Sequence, residues 1–419
     1  MKPRTKKILF IGVVLFGIHF AWNHRWHLRP SAENQEVLSS DPKLTKASIA
    51  RSLGAVQFYR GFPSEIELLD SGAASSSPRS TPARRVILQY ALDGGLQAKM
   101  ETLLAQTRPD YAAFVALDAT TGRILSLVSS STRDTIQENL ALKATFPAAS
   151  IFKVVTAAAA IGEKNFTADT EISFQGRNHT LYKSAILKPA RPNRWTRQVT
   201  LREAFGQSIN TVFGKIGAFS VGAEDLQNYA DRFQFNRPIQ ADVLVEQGRA
   251  PITDDPWLLA ESASGFTQEN TMSPLQGALI AASIVNDGKM MEPYLVQSIH
   301  SLDGSTLYTA APKMITRSVD QRTAHQIRSL MRETVERGTS KKSFRRFFRG
   351  KMEEIEVGGK TGSLTGTNPP GKVDWFVGYA EAGNQRIAIC ALTINEKNWR
   401  VKSSYMARVA IEQWFRGER

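Results

Sequence analysis

Cysteine is almost absent. The 419-residue chain has one, Cys390, inside the apolar run Arg386–Ile394, so no intrachain disulfide can form and the thiol reads as a buried strand residue. The six histidines are scattered and lack the spacing of metal ligands, so neither a metal nor any other cofactor is called for. There is no internal repeat. The chain is strongly basic, with a formal net charge of +14. Its positive residues form no single helical stripe and no nucleic-acid motif accompanies them, so anionic membrane surfaces or wall polymers suit the charge better than nucleic acid. A hydrophobic fraction of 42% and a charged fraction of 22% fit a globular protein of one large domain or two ordinary ones.

The N-terminus carries Lys2, Arg4, Lys6 and Lys7 ahead of an apolar run from Ile8 to Trp22. Basic residues before an apolar segment place the N-terminus in the cytoplasm. Trp22 and Trp26 sit where an aromatic belt belongs, and no small-x-small cleavage pattern follows. An uncleaved anchor is therefore expected over residues 1–29, although the run is short for a spanning helix. No cysteine follows the run, which excludes a lipoprotein anchor. The expected location is the cytoplasmic membrane, single-pass, with the remaining chain outside the cytoplasm. Residues 30–83 read as a short extracytoplasmic linker or the remnant of a pedestal. They hold one helix candidate, with Asp41 as N-cap and Pro42 at its first position, and the low-complexity stretch Ser71–Pro82.

From residue 84 the patterning is dense. Val86–Asp93 reads as a strand and Leu96–Ala105 as an amphipathic helix. Ala113–Asp118 and Arg123–Val128 read as a hairpin. A mostly helical middle runs to about residue 350. A second hairpin, Val373–Ala380 with Arg386–Ile394, and a helix over Ser403–Phe415 follow. Strands at both ends with helices between them predict an α+β arrangement around one sheet.

Three short motifs carry chemistry. Ser150 and Lys153 open a predicted helix after Pro147, one turn apart. A helix N-terminus offers positive potential, and an amine of lowered pKa can take a hydroxyl proton. Alone the pair decides nothing, for Ser40-Asp41-Pro42-Lys43 has the same spacing and no partners. Ser208 and Asn210 lie two apart on a predicted turn, so both can face one cleft. Asn210 occupies the place where a nucleophile elbow needs its last glycine. Lys360, Thr361, Gly362 and Ser363 follow the alternating Glu354–Val357 on or at the end of a strand. Gly359 and Gly362 permit close approach, Lys360 supplies a fixed positive charge, and the hydroxyls of Thr361 and Ser363 suit a carboxylate.

In the order Ser-x-x-Lys, Ser-x-Asn, Lys-Thr-Gly, the chain resembles the penicillin-binding proteins, acyl-serine transferases that share a fold with the serine β-lactamases. The resemblance runs from about 84 to 419. It includes Ala116–Leu125, Thr200–Gly217, Ser273–Gln276, Asn286–Gly288, Pro293–Val296, Glu336–Thr339 and Asp374–Ala380. Residues 30–83 are too few for a glycosyltransferase region, so the likeness is to the monofunctional class B members. Ala263–Gln268 departs from a Gly-Gln-Gly stretch that members often show.

The resemblance implies an antiparallel central sheet flanked by helices, with an all-helical subregion, behind the membrane anchor. It implies Ser150 as nucleophile and Lys153 as its base, kept neutral by burial and by Lys360. Ser208 would relay a proton to the leaving amine, and Asn210 would hold the substrate backbone and orient Lys153. Lys360, Thr361, Gly362 and Ser363 would bind the terminal carboxylate, and the backbone N–H groups of Ser150 and Ser363 would form the oxyanion hole. The implied reaction is a peptidoglycan D,D-transpeptidation that cross-links stem peptides, with β-lactams as covalent ligands. Glycosyltransferase, division or elongation proteins are the implied partners. A D,D-carboxypeptidase, a β-lactamase, or a non-catalytic scaffold or β-lactam sensor would use the same fold.

Overall fold

The computed structural model describes residues 44–54, 61–69, 83–133, 139–187 and 191–417. The apolar run Ile8–Trp22, Asp41-Pro42 and the Ser71–Pro82 stretch lie outside the described residues. No helix among the described residues is long and apolar enough to cross a membrane.

In chain order, α1 (Lys46–Gly54) and β1 (Glu65–Leu69) lead to β2 (Ala83–Tyr90), α2 (Gly94–Thr107) and the hairpin β3 (Tyr111–Asp118) and β4 (Ile124–Ser131). The two-residue strand β5 (Phe146–Pro147) precedes α3 (Lys153–Lys164). Then come β6 (Glu171–Phe174), α4 (Lys183–Leu187), β7 (Arg197–Thr200), α5 (Leu201–Gly206), α6 (Asn210–Lys215), α7 (Gly222–Arg232) and α8 (Pro256–Ser264). Next are β8 (Thr271–Met272), α9 (Pro274–Val285), β9 (Lys289–Met291), β10 (Val296–Ser301), β11 (Thr306–Thr309), β12 (Met314–Arg317), α10 (Gln321–Glu336) and α11 (Lys341–Phe344). Finally β13 (Glu356–Thr367), β14 (Pro370–Ala382) and β15 (Gln385–Asn395) precede α12 (Ser403–Gly417).

The expected central sheet is present. It has five antiparallel strands in the order β13-β14-β15-β3-β4, so the N-terminal hairpin joins strands more than 200 residues away. β3, β15 and the middle of β14 read as continuous apolar runs because both of their faces are covered. On β15, Ile387, Ile389 and Ala391 enter one core with α2 and α12, while Ala388, Cys390, Leu392 and Ile394 enter the other with α3 and α9. Period-2 geometry divides the strand in this way. Cys390 is buried and unpaired, as expected, and lies against Gly277 of α9.

A second antiparallel sheet, β1-β2-β10-β11, carries α1. At the start of this helix Thr45 Oγ1 accepts the Ser48 N–H at 3.2 Å. Buried Asp242 secures this sheet by accepting the N–H groups of Leu295 and Val296. Local capping chemistry sets several starts near the site. Asp255 caps α8 and Ser273 caps α9, each followed by proline at the first helical position.

Candidate active site

Ser150 is held from both sides before α3 begins. Pro147 belongs to β5, which pairs with β8, rather than to the first turn of a helix. The Trp375 indole on β14 donates to the Pro147 carbonyl at 2.9 Å. The Ala148 N–H donates to Asn270 at 2.7 Å. Ala149 is then forced to φ 49°, and residues Ala149–Phe152 form a single 3₁₀ turn that runs into α3. The α-helix itself begins at Lys153, not at Ser150.

Gly265, at φ +65°, closes the back of this turn. A Cβ there would lie 1.9 Å from the Ala149 carbonyl oxygen. Only glycine allows this approach. The same residue ends α8 in the left-handed conformation, which frees the Ser264 carbonyl for another partner.

That partner is Lys153. Its ammonium nitrogen is fully buried and lies 2.8 Å from Ser150 Oγ, 2.8 Å from Asn210 Oδ1 and 2.5 Å from the Ser264 carbonyl oxygen. Burial, then the nearby Lys360 charge, holds its pKa well below the usual lysine value. The two carbonyl oxygens can only accept. With both of those oxygens as acceptors, a deprotonated amine at this place would have its two N–H groups taken up and its lone pair left for the Ser150 hydroxyl.

The second predicted motif meets the first. Ser208 sits at φ 56° between α5 and α6, and Asn210 is the first residue of α6. Asn210 Nδ2 donates to the His179 carbonyl at 2.9 Å, which fixes Oδ1 toward Lys153. Lys360 on β13 reaches across from the other side, donating to Ser208 Oγ at 2.9 Å and to the Thr361 carbonyl at 2.8 Å. Lys360 differs from the expected fixed charge. It is fully buried, beside the Phe205 ring, and burial alone pulls its pKa to about 7.

β13 is an edge strand, so alternate backbone N–H groups face away from β14. Gly362 brings it against the Ser150 turn, where an added Cβ would lie 3.2 Å from Ile151 Cγ1. Thr361 Oγ1 is 2.5 Å from Thr339 Oγ1, and Ser363 is solvent-exposed two residues further along the same face. All eight expected site residues thus come from three segments that converge on one cleft.

Sequence reading missed two contributors. Ser264 acts through its backbone, and the only trace is the glycine that follows α8. Thr339 stands in a segment quoted for its likeness, and its place beside Thr361 depends on Gly338. A Cβ on that glycine would lie 2.2 Å from the Gly206 carbonyl oxygen.

Residues 112–411 match the penicillin-binding protein transpeptidase domain. The chain is 30% identical over 319 residues to peptidoglycan D,D-transpeptidase PbpA of Mycolicibacterium smegmatis, covering 68% of this chain and 62% of that protein. It is 23% identical over 366 residues to stage V sporulation protein D of Bacillus subtilis, covering 82% and 54%. The chain therefore spans less than two thirds of the length of these relatives. Among solved structures, penicillin-binding protein PBPA of Mycobacterium tuberculosis superposes with a TM-score of 0.64 at 23% identity, covering 78% of this chain and 80% of that one. The D,D-transpeptidase domain of a peptidoglycan glycosyltransferase from Eggerthella lenta gives 0.66 at 23% identity, covering 86% and 97%. The fold agrees with theirs, the matched domain spans the converged motifs, and the chain belongs to the penicillin-binding protein transpeptidase family.

Proposed function

We propose that the chain is a monofunctional serine D,D-transpeptidase of peptidoglycan, with Ser150 as the acylated residue. The observation that carries this reading is the convergence of Ser150 Oγ, Asn210 Oδ1 and the Ser264 carbonyl oxygen on the buried Lys153 Nζ, where burial and the Lys360 charge favour the neutral amine that a base must be. In this scheme the Ser150 hydroxyl proton passes to Lys153 Nζ as Oγ bonds the penultimate D-alanine carbonyl carbon. The C–N bond then breaks, and the proton returns to the leaving D-alanine amine through Ser208. An acceptor amine attacks the ester, and its proton returns to Ser150 by the same path. Lys360, Thr361, Gly362 and Ser363 hold the terminal carboxylate, and the amides of Ser150 and Ser363 stabilise the oxyanion.

The family and the names of the relatives support the substrate. The basic residues ahead of Ile8–Trp22 support a membrane anchor over 1–29. With it go a catalytic domain from about residue 84 outside the cytoplasm and partners in wall synthesis. The test is covalent labelling by a fluorescent penicillin. Wild type is expected to form an adduct and Ser150→Ala none; equal labelling of both removes the assignment. Incubation with a stem pentapeptide and an acceptor amine then separates the outcomes. Cross-linked product is expected, whereas tetrapeptide alone indicates a carboxypeptidase, and rapid release of hydrolysed penicillin indicates a β-lactamase.

A further inference from the structure

Between Ile172 and Arg202 the sequence has seven basic residues (Arg177, Lys183, Lys188, Arg191, Arg194, Arg197 and Arg202) and no aspartate or glutamate. The fold gathers part of this charge in a recess of about 700 Å³ lined by Gly176, Arg177, Asn178, Arg194, Trp195 and Arg197. Trp195 is 68% exposed, the most exposed large hydrophobic side chain among the described residues. The Arg194 guanidinium lies 4.9 Å from its ring centroid. Arg197 is occupied, donating to the Gly176 carbonyl and to Asn178 Oδ1 and lying 4.2 Å over the Phe174 ring. Among the described residues, no carboxylate pairs with Arg177, Arg194 or Arg197. Three unneutralised guanidinium groups and an exposed indole in one concavity match an anionic, partly apolar ligand.

The recess is joined to the catalytic turn. Asn178, which forms part of its wall, donates from Nδ2 to Gln207 Oε1 at 3.0 Å, and its carbonyl accepts the Asn210 N–H at 2.7 Å. The next residue, His179, accepts from Asn210 Nδ2, and Asn210 in turn holds Lys153. A ligand seated here therefore lies along the lip of the cleft. We propose that the recess is an anion subsite for a carboxylate borne by a peptide substrate of Ser150, upstream of the bond broken or on the attacking strand. A free carboxylate brought into a pocket of guanidinium groups gains charge-assisted hydrogen bonds that its carboxamide lacks.

This inference rests on the transpeptidase reading, and the test separates the two. The full chain is given donor peptides ending in D-alanyl-D-alanine that differ only in an upstream side-chain carboxylate or carboxamide, with D-alanine release as readout. In a second arm the donor is the carboxamide, and the acceptor amine carries the carboxylate or its amide, with cross-linked product as readout. In one arm the acid is expected to exceed the amide in kcat/KM by about tenfold. That ratio should fall toward one in the double variant Arg177→Gln, Arg194→Gln and shrink in high salt. Arg177→Lys with Arg194→Lys should keep an intermediate ratio, and thermal melts check that each variant folds. A wild-type ratio near one in both arms, or a ratio unchanged in the glutamine variant, overturns the subsite. Failure of wild type to release D-alanine from either donor overturns the transpeptidase reading and this inference with it.

Discussion

Replacing Lys360 by methionine should abolish acylation and yet stabilise the fold at neutral pH. Lys360 is fully buried, and its pKa is pulled from 10.5 to about 7 by burial. A shift of that size corresponds to roughly 4–5 kcal/mol of cost to the folded state. The cost is complete below pH 7, where folded and unfolded chains both hold the proton. Between pH 7 and 10.5 the unfolded chain binds a proton that the folded one does not, so stability rises with pH and the cost disappears. Methionine fills a similar volume without the charge. It also deprives Ser208 Oγ and the Thr361 carbonyl of their donor, a loss of roughly 1–1.5 kcal/mol each. The net gain near pH 6.5 is about 2 kcal/mol, or about 2–3 °C in Tm for a chain of this length. Calorimetric melts at pH 6.5, 8 and 9.5 read the effect. The gain should shrink with rising pH and become a loss near pH 10, where only the missing hydrogen bonds remain. A lower Tm at pH 6.5, or a shift that ignores pH, would refute the account of a lysine held at a cost.

Three further outcomes are expected. Gly265→Ala would set a methyl group 1.9 Å from the Ala149 carbonyl oxygen at φ +65°, so it should lower the penicillin acylation rate at least tenfold and cost about 1–3 kcal/mol; an unchanged rate would mean that the Ser150 turn is not braced from behind. Asn210→Ala removes an acceptor from Lys153 and a donor to His179, and should slow acylation by about 10²-fold while the labelled serine stays the same. Asp242 is buried, with a pKa pushed up to about 6 by desolvation against the backbone N–H groups of Leu295 and Val296 that it accepts. Its stabilising contribution is present below pH 4 and is lost as pH rises through 6. Asp242→Asn should cost roughly 1–2 kcal/mol, with the larger loss in melts at pH 5 than at pH 7.

The residues legible in the sequence were those whose side chains do chemistry in fixed local spacing. Ser150 with Lys153, Ser208 with Asn210, and Lys360 to Ser363 announce themselves because a helical turn, a tight turn and a strand each set one spacing. The paired hairpins were legible too, since Ala113–Asp118 and Arg386–Ile394 are apolar enough to need cover on both faces. What was hidden is long-range. The Ser264 carbonyl has no side-chain signature, and its role follows from where α8 stops. Thr339 matters through a backbone approach at Gly338 that no pattern announces. Lys360 read as a plain charge because groups that meet its amine, the Phe205 ring and Ser208 Oγ, lie more than 150 residues away in sequence. The expected start of α3 at Ser150 failed for a related reason. The ties of Pro147 to Trp375 and of Ala148 to Asn270 bend the chain before the helix can begin.

The helix that carries Lys153 has a consequence for how this member of the family can vary. Ala157, Ala158, Ala159 and Ala160 are each fully buried, so α3 is enclosed on every side from Lys153 to Ile161 and emerges only in its last turn. An inserted methylene there has no slack to enter and typically costs 1–3 kcal/mol. Tolerated change is thereby expected at the rim, above all at Thr365 and Thr367, which alternate along the exposed side of β13 beyond the site. In a mutagenesis library selected for altered β-lactam reactivity, survivors should gather on that strand and leave the alanine helix blank.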